Sequence, residues 1–464
     1  MDISLFWSLF VILAITYFAI AMGASRNLET DDDFFYGRRQ FGVTALSLSL
    51  AAIQIGGGVV LATAEEAYRV GLYGITYSLG ICGGFFVLAL GIAYRLRRLN
   101  IRTIAEIFSL RYHSTALRRL ASTMSILTLM GILISQIIAS RILLDTVAGE
   151  YHWILILFWL LVIIYTMFGG LKAVIATEIF QIVLVVAVFL GILLIYSWKR
   201  PESFDLFWHP SKILAIHAMF AHPEPSRLWS LFLLPLFYTV LAQDLGQRFF
   251  SARTPTTALV SVLFALLIVL GFSCFPVIFG MEARQLGIEV AAGQSTMLVL
   301  LERTLEPFFY YLVVCAIIAA ISSTADAILC AIGSNVVEDF LLVSSDGPVD
   351  KYLSILISRV VILFFGICAL IMGYQFNDIL GVLSLSYELS ISCLLIPIIF
   401  GMFSKNPKME SAIASMIAGL LGFIVCRFSL PFFMPCELLS VLASLVGYCG
   451  GYFYKYIHRL AHPK

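Results

Sequence analysis

Long apolar runs dominate the chain, separated by short polar segments. Runs of about 20 apolar residues suit membrane helices. The pattern predicts spans at 4–23, 43–67, 72–94, 119–146, 151–169, 173–197, 228–248, 258–281, 306–336, 353–374, 378–402, 409–428 and 437–456, which is thirteen helices. The fold class expected is therefore an all-α polytopic membrane protein. The first run, "MDISLFWSLF…", lacks a basic start and meets its first positive charge only after the run, unlike a secretory signal. It reads as a membrane helix that starts outside. Residues 1–464 form a single membrane domain, with the long loops 198–227 and 282–305 expected to cap the outer face.

Two spans are interrupted. The second carries "AAIQIGGGVVLATAEEAY", and three glycines inside a helix cost about 1 kcal/mol each relative to alanine. The seventh, "LLPLFYTVLAQDLGQRF", has Pro235 early, Tyr238 midway and Gln243 and Asp244 late. Glycines alone could serve only close helix packing. A matched pair of broken helices, each followed by four further spans, points instead to an inverted-repeat transporter with its site at the midplane. The expected repeats are 43–197 and 228–402, flanked by an extra N-terminal helix within 1–30 and extra C-terminal helices within 409–464.

Composition strengthens this reading. The chain is 61% hydrophobic and 12% charged, against roughly 25% charged for soluble domains. The net charge of +1 is uninformative, but its distribution is not. With the N-terminus outside, 20 of the 29 Lys and Arg fall on the cytoplasmic side and eight outside, with Arg141 inside a span. Positive charge gathers on the cytoplasmic side of membrane proteins, so the C-terminus is expected in the cytoplasm and the protein in the plasma (inner) membrane. Nothing suggests nucleic acid; the expected partners are lipid and a small-molecule substrate, and the expected state is monomeric. The nine cysteines show no metal or disulfide spacing.

The stretch "AAISSTADAILCA" at 319–331 places hydroxyls and a carboxylate inside a span. Ala320, Ser323 and Thr324 stand at i, i+3 and i+4 and share one helix face. Small hard cations want clustered oxygens, and the broken segment 52–58 could add free carbonyls. Isolated membrane hydroxyls often just bond the i−4 carbonyl. Asp326 weighs against that simple reading, because a buried carboxylate costs roughly 2.5–3.5 kcal/mol on insertion scales and marks ion paths. Glu178 is a second buried acid that either snorkels to the cytoplasmic face or faces Gln181. Glu65 and Glu66 read as solvated. Gln54, with Gly56, Gly57 and Gly58, and Tyr238 and Gln243 at the second break, are the expected substrate contacts. The histidines all fall in loops or at membrane ends, which removes the base that an intramembrane serine hydrolase needs. No enzymatic activity is expected.

In "DFFYGRRQFG", "FGGLKAVIATEIFQ", "QDLGQRFFSAR" and "AAISSTADAILCAIGSNVVEDF", and in their order and spacing, the chain resembles the sodium/solute symporter family, which includes sodium/proline, pantothenate, galactose and sialic acid carriers. The resemblance implies an inverted five-plus-five core that couples Na⁺ entry to solute uptake. It also implies a sodium site made by the carbonyls of Ala52, Ile55 and Ala320 and the hydroxyls of Ser323 and Thr324. Some members hold a second sodium beside an acid at the position of Glu178; here Glu178 replaces the commoner aspartate, and Asp326 stands where a hydroxyl is usual. Asp326 could instead carry a proton or meet a cationic substrate. "IGGGVVLATAEEAY" is similar to the glycine-rich segment of high-affinity choline transporters, with Gln54 in place of their aromatic residue, and Val59 stands where sugar carriers have glutamine. The expected cargo is Na⁺ with a small zwitterion, amino acid-like solute or quaternary amine. The rivals are proton coupling, or a non-transporting sensor or channel on the same scaffold.

Overall fold

The computed structural model describes residues 3–25, 31–148, 152–199, 224–291, 293–344, 351–428 and 435–461. Among them there is no strand; the sole β feature is an isolated bridge between Phe41 and Ala252. The helices used below are α1 (Ile3–Ala24), α2 (Val43–Gln54), α3 (Thr63–Val70), α4 (Thr76–Val87), α5 (Glu106–Tyr112), α6 (Thr115–Ala148), α7 (His152–Lys199), α8 (Pro225–Leu241), α9 (Gln243–Ser251), α10 (Pro255–Gln285), α11 (Thr296–Thr304), α12 (Pro307–Val336), α13 (Lys351–Gly373), α14 (Ile379–Phe403), α15 (Met409–Phe428) and α16 (Cys436–Ala461).

Among the described residues, ten helices are long and apolar enough to cross a membrane, or eleven if the bent pair α8 and α9 is one span. Thirteen were expected. The difference lies at two glycines where the chain leaves helical geometry, Gly71 (φ +65°) and Gly170 (φ +59°). The continuous segments 58–98 and 153–199 each run through one of them and are counted once.

Burial sorts the helices into layers. The span containing α12 is 94% buried, whereas α1, α13, α15 and α16 are about 28% buried over their apolar windows. Helix α12 is therefore the axis of the bundle and packs on α6, α7, α13 and α2. The others turn large apolar side chains outward, as lipid requires. The expected outer loop at 198–227 lies almost wholly outside the described residues. In the loop at 282–305, α11 packs against α3 and α10.

Both expected breaks are present. Helix α2 stops at Gln54 because Ile55 turns out of the helix (φ −85°, ψ 68°), and a π turn at Gly58–Ala62 restarts it as α3. Helices α8 and α9 meet at Ala242 (ψ 118°) with a 41° bend. The bridge at Phe41 and Ala252 joins the second residue before α2 to the residue just after α9. The Phe41 N–H reaches Ser251 O at 3.4 Å, and the Arg253 N–H reaches Phe41 O at 3.0 Å. One broken pair thus starts where the other ends, so the two run in opposite senses.

Glycine at the first break is required by close approach. A Cβ at Gly57 would overlap the Ala139 side chain, and one at Gly56 would overlap Thr324 Oγ1. Overpacking of this kind costs about 1–3 kcal/mol. Gly57→Ala is therefore expected to lower the melting temperature of the detergent-solubilised protein. An unchanged melting curve would contradict the close contact with α6.

Candidate ion and substrate site

The break frees main-chain oxygens that an intact helix would use, and α12 comes to meet them. Ser323 Oγ donates to Ala52 O (2.9 Å) and to Ala320 O (2.8 Å). Thr324 Oγ1 donates to Ile53 O (2.8 Å) and lies 3.4 Å from Ala320 O. Five oxygens, from Ala52, Ile53, Ala320, Ser323 and Thr324, thus converge across the α2–α12 contact in a buried place. Such neutral oxygens fit a small monovalent cation, towards which the hydroxyls can turn their lone pairs. The structure brings together Ala52, Ala320, Ser323 and Thr324 of the expected set. Ile55 sits one residue past the end of α2 with its N–H on Ala51 O, and Ile53 supplies the second carbonyl met by a hydroxyl. Ser322, off this face, donates to Ala319 O (3.0 Å) and accepts from Gln181 (3.1 Å).

Beside this cluster lies a cavity of about 20 Å³ lined by Gln54, Gly56, Gly58, Val59, Tyr77, Gln136, Tyr238, Asp244, Thr324, Leu383 and Tyr387, among others. Gln54, Gly56, Gly58 and Tyr238 were expected there. The Gly57 N–H is bound by Gln136 Oε1 (2.8 Å). Gln243 points elsewhere, accepting from the Ile104 N–H (2.8 Å) at the basic end of the bundle. Tyr77, Gln136, Asp244 and Tyr387 were not foreseen as cavity residues. The polar interruption at 243–244 was the one signal of them in the sequence, whereas lone tyrosines and a glutamine within apolar spans carry none.

The two buried acids have partners that the sequence did not reveal. Glu178 is fully buried and does not snorkel; it accepts from Ser49 Oγ and forms an ion pair with Arg248. Gln181 turns to Ser322 rather than to Glu178. Arg248, counted above as cytoplasmic, is also fully buried and further donates to Ser49 (3.2 Å) and to Asp244 O (3.1 Å). Asp326 accepts from Tyr165 (3.0 Å) through one oxygen, while its Oδ1 has no hydrogen-bond partner among the described residues. Glu178 and Arg248 are close enough to act on Asp326 electrostatically.

The two ends of the bundle differ. At the basic end, Arg102 pairs with Glu338 (3.2 Å) and Arg118 with Asp339 (2.7 Å). Thr103 also donates to Asp339 (2.7 Å), and Tyr36 lies over Ser334 and Glu338. This network fastens the 102–118 segment to the end of the axial helix. At the opposite end a cavity of about 510 Å³ opens, lined by Leu61, Glu65, Glu66, Arg69, Arg227, Asp378 and their neighbours. Glu66 was expected in solvent but is buried and paired with Arg227 (2.7 Å). The vestibule floor at Leu61 and the central cavity at Val59 are two residues apart on the same segment. Ion pairs fasten the basic end, and from the other end the vestibule reaches to within a turn of the site.

A broken helix that offers carbonyls to the hydroxyls of an axial helix, with a vestibule reaching to within a turn of it, is an arrangement suited to ion-coupled transport. The sodium:solute symporter family matches residues 34–419, and the chain belongs to it. Two solved transporters share its fold. One is a Na⁺-coupled sialic acid symporter in a substrate-bound outward-open state, described as having a novel Na⁺ site. It is 19% identical, with 97% of each chain covered and a TM-score of 0.82. The other is MHP1, a nucleobase-cation-symport-1 family transporter in a closed conformation with bromovinylhydantoin bound. It is 12% identical, with 94% of this chain and 97% of that chain covered and a TM-score of 0.60. The fold is the inverted-repeat transporter fold, in a multi-pass integral membrane protein. Na⁺ is its coupling ion.

The Glu178–Arg248 pair gives a stability test. Removing one partner of a buried pair strands the other at about 3–5 kcal/mol, whereas apolar replacement of both is often near neutral. Arg248→Met is expected to melt well below the wild type, and Glu178→Gln with Arg248→Met to recover most of the loss. A double variant as unstable as the summed singles would show that the two do not act as a pair.

Proposed function

We propose that this protein is a symporter that couples the inward movement of Na⁺ to uptake of a small organic solute by alternating access. The observation that carries this reading is the convergence of carbonyl and hydroxyl oxygens of Ala52, Ile53, Ala320, Ser323 and Thr324 across the first helix break. Ile55 joins the sodium-binding set by its place in the family pattern. Na⁺ bound there holds α2 against α12, and solute completes the site in the cavity beside Gln54, Gly56, Gly58 and Tyr238. Gly57 keeps that wall in place through Gln136, and Gln243 acts at the inner closure. A membrane potential of 100 mV supplies about 2.3 kcal/mol for each charge moved inward.

The reading also assigns direction. The basic end is cytoplasmic by the positive-inside rule, so the 510 Å³ vestibule faces outside. The pairs of Arg102 with Glu338 and Arg118 with Asp339 then form the inner closure that opens on release. Segments 43–197 and 228–402 are the two repeats, a division supported by their opposed broken helices. The helices within 1–30 and 409–464 are additions at the lipid boundary. The protein works as a monomer in the inner membrane, with its N-terminus outside and its C-terminus in the cytoplasm.

A second reading, proton coupling, has one specific observation in its favour. Asp326 Oδ1 is buried without a hydrogen-bond partner among the described residues, so the carboxyl has an oxygen free to carry a proton. Glu178 already has its charge met by Arg248, so a second ion, if bound, would rest on Asp326.

Losing one of a handful of oxygen ligands is expected to weaken sodium binding about tenfold, or about 1.4 kcal/mol. Ser323→Ala and Thr324→Ala should each raise the Na⁺ concentration that half-stabilises the purified protein against heat by about that factor, at normal expression. In proteoliposomes, uptake driven equally well without Na⁺ would overturn the sodium assignment. Asp326→Asn separates the readings: it should leave Na⁺-driven uptake in place if sodium alone couples, and should abolish uptake driven by an imposed pH gradient if a proton does.

A further inference from the structure

The central cavity has one charged side chain in its lining, Asp244. The residue is 4% exposed, and its Oδ1 has no hydrogen-bond partner among the described residues. The nearest cation, Arg248, acts on it only through space. Arg248 gives its guanidinium to Glu178, to Ser49 and to the main-chain oxygen of Asp244, not to the Asp244 carboxylate. Three buried tyrosines share the cavity with that carboxylate. Tyr238 and Tyr387 are stacked with ring centroids 4.3 Å apart, and Tyr77 Oη is 3.1 Å from Tyr387 Oη. Among the described residues, no Arg, Lys or His lines the cavity.

We propose that this cavity selects a small organic cation that carries no carboxylate, with Asp244 as its counter-charge and Tyr77, Tyr238 and Tyr387 as the aromatic wall for its ammonium head. The inference rests on the symport reading and names the class of its substrate. A buried carboxylate oxygen left without a hydrogen bond is costly, and a cationic ligand that meets it removes that cost. Tyrosine faces attract ammonium groups when both are desolvated. A ligand carboxylate would find no lining cation and would be repelled by Asp244. The amides of Gln54 and Gln136 and the Tyr77 hydroxyl leave hydrogen bonds for a hydroxyl on the ligand. A cavity of about 20 Å³ has room for about one water, so the ligand enters from the vestibule as the tyrosines part. Asp244 also sits in the first turn of α9, where an acid is favoured by the helix dipole alone; the test has to tell the two roles apart.

The full-length protein in detergent is melted in NaCl and in KCl with choline, tetramethylammonium, methylammonium, glycine betaine and 3,3-dimethyl-1-butanol, the neutral isostere of choline. At least one carboxylate-free cation is expected to raise the melting temperature by several degrees in NaCl, while betaine and the butanol do not. Asp244→Asn, which keeps a side-chain acceptor at the start of α9, is expected to weaken that response at least tenfold while leaving stabilisation by Na⁺ alone in place. The proposal is overturned if the butanol or betaine acts as well as choline, if no cation acts, or if Asp244→Asn responds like the wild type. The isostere comparison needs only the wild type, so it holds even where the variant does not fold. Failure of the sodium reading shows separately, as a wild-type protein that NaCl stabilises no better than KCl.

Discussion

Everything in this molecule is arranged around a helix that stops before it should. At Gln54 the chain abandons its hydrogen-bond ladder, and the carbonyls of Ala52 and Ile53 are left to find other donors inside an apolar bundle. In lipid such oxygens have no water to turn to. Ser323 and Thr324 of the axial helix answer them, and only glycine at 56 and 57 lets the two backbones come close enough. The break, the hydroxyls and the small residues are therefore one device. Its parts lie about 270 positions apart in sequence and make sense only together.

Charge is handled by a different rule. Where the clustered oxygens at the break are neutral, buried acids elsewhere in the bundle are met one by one: Glu178 by Arg248 and Ser49, Asp326 by Tyr165, Glu66 by Arg227. Asp244 lines a cavity, and its Oδ1 has no hydrogen-bond partner among the described residues. A buried pair is seldom a net source of stability. Retaining one here fixes α9 to α7 and keeps a permanent cation beside Glu178.

Much of this was legible in the chain itself. The spacing of Ala320, Ser323 and Thr324 identified a face, and the structure puts carbonyls against it. The glycine run and the polar interruption at 243–244 located both breaks. What escaped the sequence was pairing across distance. Arg248 lies near the end of its span and beside other basic residues, so hydropathy assigns it to the cytoplasm; only the fold carries it to Glu178, 70 positions away. Gln181 looked like a partner for Glu178 by local spacing, yet it turns to Ser322 on another helix. The count of spans differs for a related reason. Hydropathy separates runs by their polar residues, whereas Gly71 and Gly170 change the direction of the chain within segments that stay continuous.

The bridge between Phe41 and Ala252 has a mechanical meaning. Two main-chain hydrogen bonds button the start of one broken helix pair to the end of the other, and Arg97 Nε adds a side-chain bond to Ala252 O (2.8 Å). The main-chain bonds are indifferent to the identity of the residues that form them, whereas the third depends on Arg97. The bridge also fixes where the two arms meet: the foot of α2 and the foot of α9 are held side by side at the basic end, away from the break at Gln54.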